Sequence, residues 1–266
     1  MKDTIEFIFR EFPVVFYFFT FLYGIVVGSF LNVCIYRIPE KQSIVSVPSH
    51  CMSCEKNLHW YELIPLFSWI VLRGKCSGCK AKISVQYPLV EALNGIAWCV
   101  IFAVKGLTLD MIFCCALFSS LLVISVIDAR TMEIPNGMVL VVLVLGILRA
   151  SWNIFKFRSA WIDTLLGPVI MGGILFAILI LSGGRAMGGG DVKLMFAAGI
   201  FLGLKLTFLS LFIACIVGSI IHITLMKLKK KGRELAFGPY LSIGFMVSAL
   251  WGSGFLEWYI SKYINF

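Results

Sequence analysis

The sequence predicts an all-α polytopic membrane protein, with about eight transmembrane helices and a small cytoplasmic metal-knuckle domain between the first and second spans. Three observations lead there. Hydrophobic residues fill 60% of the 266 positions and charged residues only 14%, with a mean hydropathy of +0.95. Soluble proteins carry about 45–50% apolar and about 25% charged residues. The apolar residues gather in long runs ended by polar ones. One polar stretch of about fifty residues breaks this pattern and holds two C-x2-C pairs. A soluble globular enzyme, a disordered chain and a nucleic-acid-coating protein are excluded.

The first apolar run covers 12–35, and the polar stretch covers 36–87. Further runs follow at 88–104, 107–127, 138–148 with a continuation toward 155, 164–181, 192–203, 204–226 and 237–256. At ~20 apolar residues per span, each is a candidate crossing, and the fourth and sixth are short. The N-terminus lacks the charged, short apolar and small-residue succession of a removable signal peptide. The expected domains are an N-terminal segment with the first span (1–35), a cytoplasmic cysteine domain (36–87) and a membrane domain (88–266).

The net charge of +9 is read first as membrane topology, because Lys and Arg collect in cytoplasmic loops. With 36–87 in the cytoplasm and eight alternating spans, that side holds fifteen basic residues and the other side eight. Both termini are then outside. The basic run at 227–233 reads as an anchor to anionic lipid.

Of nine cysteines, Cys34, Cys99, Cys114, Cys115 and Cys215 lie in apolar runs, where Cys acts as a small hydrophobe. Cys51 and Cys54 form one C-x2-C pair and Cys76 and Cys79 another, with 21 residues between them. Four thiolates so presented make a closed tetrahedral zinc site. Two local disulfides or a redox pair are the other readings, and a reducing cytoplasm argues against structural disulfides. A metal with no open position organises the fold, as a domain this small usually requires. His50 and His59 flank the first pair and read as surface or packing residues rather than ligands.

The chain has five aspartates: Asp3, Asp110, Asp128, Asp163 and Asp191. Only Asp128, in VIDARTMEIPN, and Asp191, in GRAMGGGDVKL, fall on the cytoplasmic side of the spans. Acids at membrane depth are costly and usually functional, although either alone could simply end a helix. Gly183, Gly184, Gly188, Gly189 and Gly190 crowd around Asp191, as expected where a substrate strand approaches backbone closely. The glycines lack P-loop spacing. Two carboxylates sharing a site can divide one proton, one acting as base toward water and the other as acid. Peptide hydrolysis by direct water attack follows. Lys193 could stabilise the ionised partner, but facing the headgroups is the preferred reading.

Taken together, these motifs resemble the type IV prepilin peptidase family of bifunctional leader peptidases and N-methyltransferases. GSFLNVCIYRIP at 28–39 resembles its first-span signature, and the two C-x2-C pairs with LIPLFSWIVLRGKC and ISVQYPLVE resemble its cytoplasmic domain. Asp128 with Ile134-Pro135 resembles the first catalytic motif. Gly188 to Lys193 resembles the G-x-G-D motif of intramembrane aspartyl proteases, and Phe237-Gly238-Pro239 the last cytoplasmic turn. Glu62-Leu63 stands where many members carry Asp-Asn.

The resemblance implies an enzyme of the bacterial inner membrane that cuts the basic leader from prepilins or pseudopilins at the cytoplasmic face. It then methylates the new N-terminal amine from S-adenosylmethionine. Asp128 and Asp191 are implied as the proteolytic pair, and Cys51, Cys54, Cys76 and Cys79 belong to the methyltransferase-associated domain. No nucleotide-binding G-x-G-x-x-G follows a strand, so a methyl-donor site would be shared between that domain and the membrane bundle. Glu91 is the acid to watch there, although a helix N-terminal acid needs no such role. The remaining alternatives are a peptidase with a purely structural zinc domain, a non-catalytic pilus or secretion assembly factor, and an ion transporter.

Overall fold

The computed structural model describes residues 12–157, 161–185, 187–229 and 236–263. Asp3 and the basic run beyond 229 lie outside them. Nine α-helices are described, labelled here α1 (Pro13–Arg37), α2 (Phe67–Val71), α3 (Gln86–Lys105), α4 (Leu109–Thr131) and α5 (Asn136–Phe157), then α6 (Trp161–Leu181), α7 (Gly189–Leu202), α8 (Leu204–Lys229) and α9 (Gly238–Tyr263). Seven are long and apolar enough to cross a membrane, all but α2 and α7. The chain forms two compact units, one ending at Met111 and the other beginning at Ile112.

In the first unit α1 packs against α3. A Cβ on Gly24 would lie 2.7 Å from Gly95 Cα, and one on Gly28 would lie 2.8 Å from Glu91 Cα. Small residues four apart let two membrane helices approach to backbone contact. Asn94 Nδ2 donates to Gly24 O at 2.7 Å and Asn32 Nδ2 to Tyr87 O at 3.1 Å. The contacts run in opposite directions along the two helices, so the pair is antiparallel. Arg37, at the end of α1, donates to the carbonyls of Ser43, Val47 and Pro48 and gathers the chain that follows. The polar stretch then builds a short 3-10 helix at Trp60–Leu63, helix α2 and two isolated bridges, His50 with Asn57 and Lys75 with Lys82.

In the second unit α4 carries a buried column including Cys114, Leu117, Leu121, Ile124 and Ile127. α5 outruns the 138–148 core of its sequence run because Arg149 is satisfied inside the fold. Its guanidinium donates to Phe201 O and lies 4.5 Å from the Phe201 ring centroid. α7 is short, since fourteen residues rise about 21 Å against a hydrocarbon core of about 30 Å. It sits in glycine seams, where a Cβ on Gly199 would meet Pro168 at 2.9 Å and one on Gly146 would meet Phe201 N at 3.1 Å. Lys193 in its first turn bonds Asn136 at the start of α5, whereas Gly203 at its far end abuts Asp163 at the start of α6. Asp128, Asn136, Asp191 and Gly238 therefore share one end of this unit.

Candidate active site and metal centre

α4 continues one turn past Asp128 and ends at Thr131, after which Met132 takes a left-handed φ of 56°. Asp128 is 5% exposed. Its Oδ2 accepts the Gly238 N–H at 2.8 Å, at the N-terminus of α9, where the helix dipole favours a negative charge. A Cβ on residue 238 would lie 2.8 Å from that oxygen, so the approach requires glycine.

Asp191 occupies the first turn of α7 and is 8% exposed. Its Oδ2 accepts the Gly188 N–H at 3.2 Å, and its Oδ1 is buried with no hydrogen-bond partner. α4 and α7 bring Asp128 and Asp191 within electrostatic reach of each other. Neither has an ion-pair partner among the described residues. Lys193 Nζ donates to Asn136 Oδ1 at 3.0 Å, which ties α7 to α5.

The glycines divide their work. Gly190 packs on Ile134, since a Cβ there would fall 2.9 Å from Ile134 Cβ, whereas around Gly189 nothing lies within 4 Å. Open backbone is thus limited to Gly189 and to the turn at Gly183 and Gly184.

The four cysteine sulfurs lie within 4.8 Å of one another. Two near-identical turns produce this. Cys51 N donates to Lys56 O and Cys76 N to Ala81 O, each at 2.9 Å. The residue after each second cysteine, Glu55 or Lys80, has a φ near +60°. Cys51 Sγ and Cys79 Sγ are 3.8 Å apart, matching the edge of about 3.8 Å of a tetrahedron with ~2.3 Å metal–sulfur bonds. Backbone N–H groups of Ser53 and Cys54 point at Cys51 and lower its thiol to about 6. The donor set fits a tetrahedral thiolate-bound metal. His50 Nδ1 lies 3.1 Å from Pro48 O and exposed His59 stacks on Tyr61, and neither joins the group.

Buried Glu62 joins the two knuckles. Its Oε1 accepts from the Ser77 hydroxyl and from Lys56 Nζ at 3.3 Å, and its Oε2 accepts the His59 N–H at 2.8 Å.

Residues 115–223 match the family described as type IV leader peptidase, and residues 22–105 match the bacterial peptidase A24 N-terminal domain. A prepilin leader peptidase/N-methyltransferase from Stutzerimonas stutzeri is 31% identical over 271 residues, covering 90% of this chain and 92% of that protein. The chain belongs to the type IV leader peptidase family. Proteins of the same description from Aeromonas salmonicida (strain A449) and Pseudomonas aeruginosa are each 30% identical. They cover 94% and 93% of this chain and 95% and 94% of their own lengths. No solved structure matches.

Within this leader peptidase fold, the contribution of Gly238 was not readable from the sequence. Its turn was visible as Phe237-Gly238-Pro239, but the bond to Asp128 crosses 110 residues. Glu62 was visible only as a departure from the family pattern.

Proposed function

We propose that this chain cleaves the leaders of prepilins or pseudopilins at Asp128 and Asp191 and then N-methylates the new N-terminus. The observation that carries the proteolytic half is the pair of buried carboxylates, each held through Oδ2 by a glycine amide, with Asp191 Oδ1 unpartnered. Two such acids share one proton. The ionised aspartate takes a proton from water as the water oxygen attacks the scissile carbonyl carbon, and the protonated one donates to the carbonyl oxygen. The carbon–nitrogen bond then breaks as the amine receives the first aspartate's proton and a hydroxyl of the tetrahedral carbon returns its proton to the second aspartate, leaving the new carboxyl group. The glycine amides bond one oxygen of each carboxylate and leave Asp191 Oδ1 unpartnered for the chemistry.

The substrate is an apolar helix preceded by a basic leader. A groove of about 640 Å³ beside Asp191 suits the helix, running over α5, α6 and α7 past Val192, Phe196, Gly172 and Gly173. Leu140, Val169 and Phe176 on its walls are more than half exposed, apolar surface that a membrane helix can cover as lipid does. Counted over eight alternating spans, fifteen basic residues against eight support a cytoplasmic side for the cysteine segment and for the aspartates. A leader retained in the cytoplasm presents its scissile bond at that level. An ion pathway, in contrast, would place paired acids near the midplane in broken helices.

Cys51, Cys54, Cys76 and Cys79 hold a structural zinc that organises residues 36–87. S-adenosylmethionine supplies the methyl group.

The test combines purified full-length protein in detergent with a prepilin, with and without S-adenosylmethionine, and weighs the product. Loss of the leader plus one methyl is the expected result. Asp128→Asn and Asp191→Asn should each abolish cleavage, and full cleavage by either overturns the pair.

A further inference from the structure

The first unit encloses a second cavity, of about 370 Å³, between the cysteine-bearing segment and the adjoining ends of α1 and α3. Small-molecule sites span roughly 300–1,000 Å³. Ser29, Asn32 and Tyr36 line it from one face of α1, and Tyr87 and Glu91 from one face of α3.

In this wall one buried acid lacks a counter-ion among the described residues and one buried amide oxygen lacks any partner. Glu91 is 6% exposed. Its carboxylate accepts from the Leu66 N–H at 2.8 Å and from Ser29, yet no cation pairs with it among the described residues. Asn32 is 1% exposed and its Oδ1 is buried with no partner. Both groups are acceptors. Arg37, the buried cation of the same wall, is committed to three backbone carbonyls. Tyr36 and Tyr87 stack at the wall with ring centroids 5.2 Å apart, and aromatic faces attract cations.

An acceptor-rich, aromatic cavity with an uncompensated acid selects a cationic ligand carrying donors and an apolar body. We propose that this cavity binds the methyl donor, S-adenosylmethionine, with its sulfonium facing Glu91 and the tyrosine pair, and Asn32 Oδ1 accepting from a donor group of the ligand. The inference rests on the methyl-transfer reading above and adds the place and the charge selection.

S-adenosylhomocysteine is nearly the same shape but lacks the positive charge, so the two ligands isolate Glu91. Calorimetric titration of the full-length, metal-loaded protein in detergent should show that Glu91→Gln weakens S-adenosylmethionine about tenfold or more and S-adenosylhomocysteine only about twofold, a charged contact being worth ~1.5–3 kcal/mol. Equal weakening of both ligands, or of neither, overturns the site. So does an unchanged preference accompanied by weaker binding of the substrate amine. Photocrosslinking of an azido-adenosyl donor to the wild-type protein needs no variant to fold. Label in peptides covering 29–40 and 84–91 supports the site, and label confined to other peptides overturns it. A wild-type protein that cleaves prepilin but neither methylates it nor binds the donor instead overturns the methyl-transfer reading itself.

Discussion

The Gly238 N–H donates to Asp128 Oδ2 at 2.8 Å, so the N-terminus of the last helix orients an acid in the last turn of α4. A methyl group at 238 would itself lie 2.8 Å from that oxygen, and the carboxylate must turn away to make room. Gly238→Ala should therefore lower kcat for leader cleavage by about tenfold or more, near 1.4 kcal/mol of barrier. The thermal midpoint should change little. Cleavage kinetics on a prepilin, beside a melting curve, check this. Unchanged kcat would mean that the orientation of Asp128 does not matter to the chemistry.

Gly173 faces the apolar groove, and a Cβ added there would meet nothing within 4 Å. Gly173→Leu should fold, because α6 has room for the side chain and leucine favours helix over glycine. The new side chain would occupy space assigned to the substrate helix. Roughly ten lost carbon contacts at ~0.1–0.2 kcal/mol each amount to about 1–2 kcal/mol, near a tenfold rise in KM. A shift in KM with kcat retained supports the groove, and wild-type KM removes it as the docking path.

Much of this was legible in the sequence because membrane helices and C-x2-C turns are local patterns. Twenty apolar residues announce a span whatever they later touch, and aspartates are so few that Asp128 and Asp191 stood out. The rest depends on distant partners. The 138–148 core understated α5 because Arg149 looks like a terminator until Phe201 O receives it. The glycine cluster suggested uniformly open backbone, but Ile134 occupies the space at Gly190. No local pattern says that Glu62 will meet Ser77 from the other knuckle.

The thiolate cluster predicts one zinc per chain. Cys76 is the buried member, so Cys76→Ser should lose the metal and leave the two knuckles without their common centre. Structural zinc contributes about 10–16 kcal/mol in small zinc-binding peptides, far more than a fragment of this size could replace. Elemental analysis should fall from one zinc toward none, and amide exchange should rise across residues 49–85. Retained protection after complete metal removal would show that the Glu62 network holds the segment unaided.

Glu62 supplies the pH dependence of that segment. The Ser77 hydroxyl, the His59 N–H and Lys56 hold its carboxyl down at about 2, whereas an unfolded Glu titrates near 4.3. With the folded value depressed, its contribution is fully present above about pH 4.3 and is lost as the pH falls toward 2. Glu62→Gln removes the charge at every pH. The difference in thermal midpoint between wild type and this variant should thus be largest at neutral pH and shrink steadily below about pH 4. The two proteins are compared at equal metal content, checked by elemental analysis at each pH. A gap that persists unchanged at pH 3 would mean that the glutamine loses packing or hydrogen bonds rather than a stabilised charge.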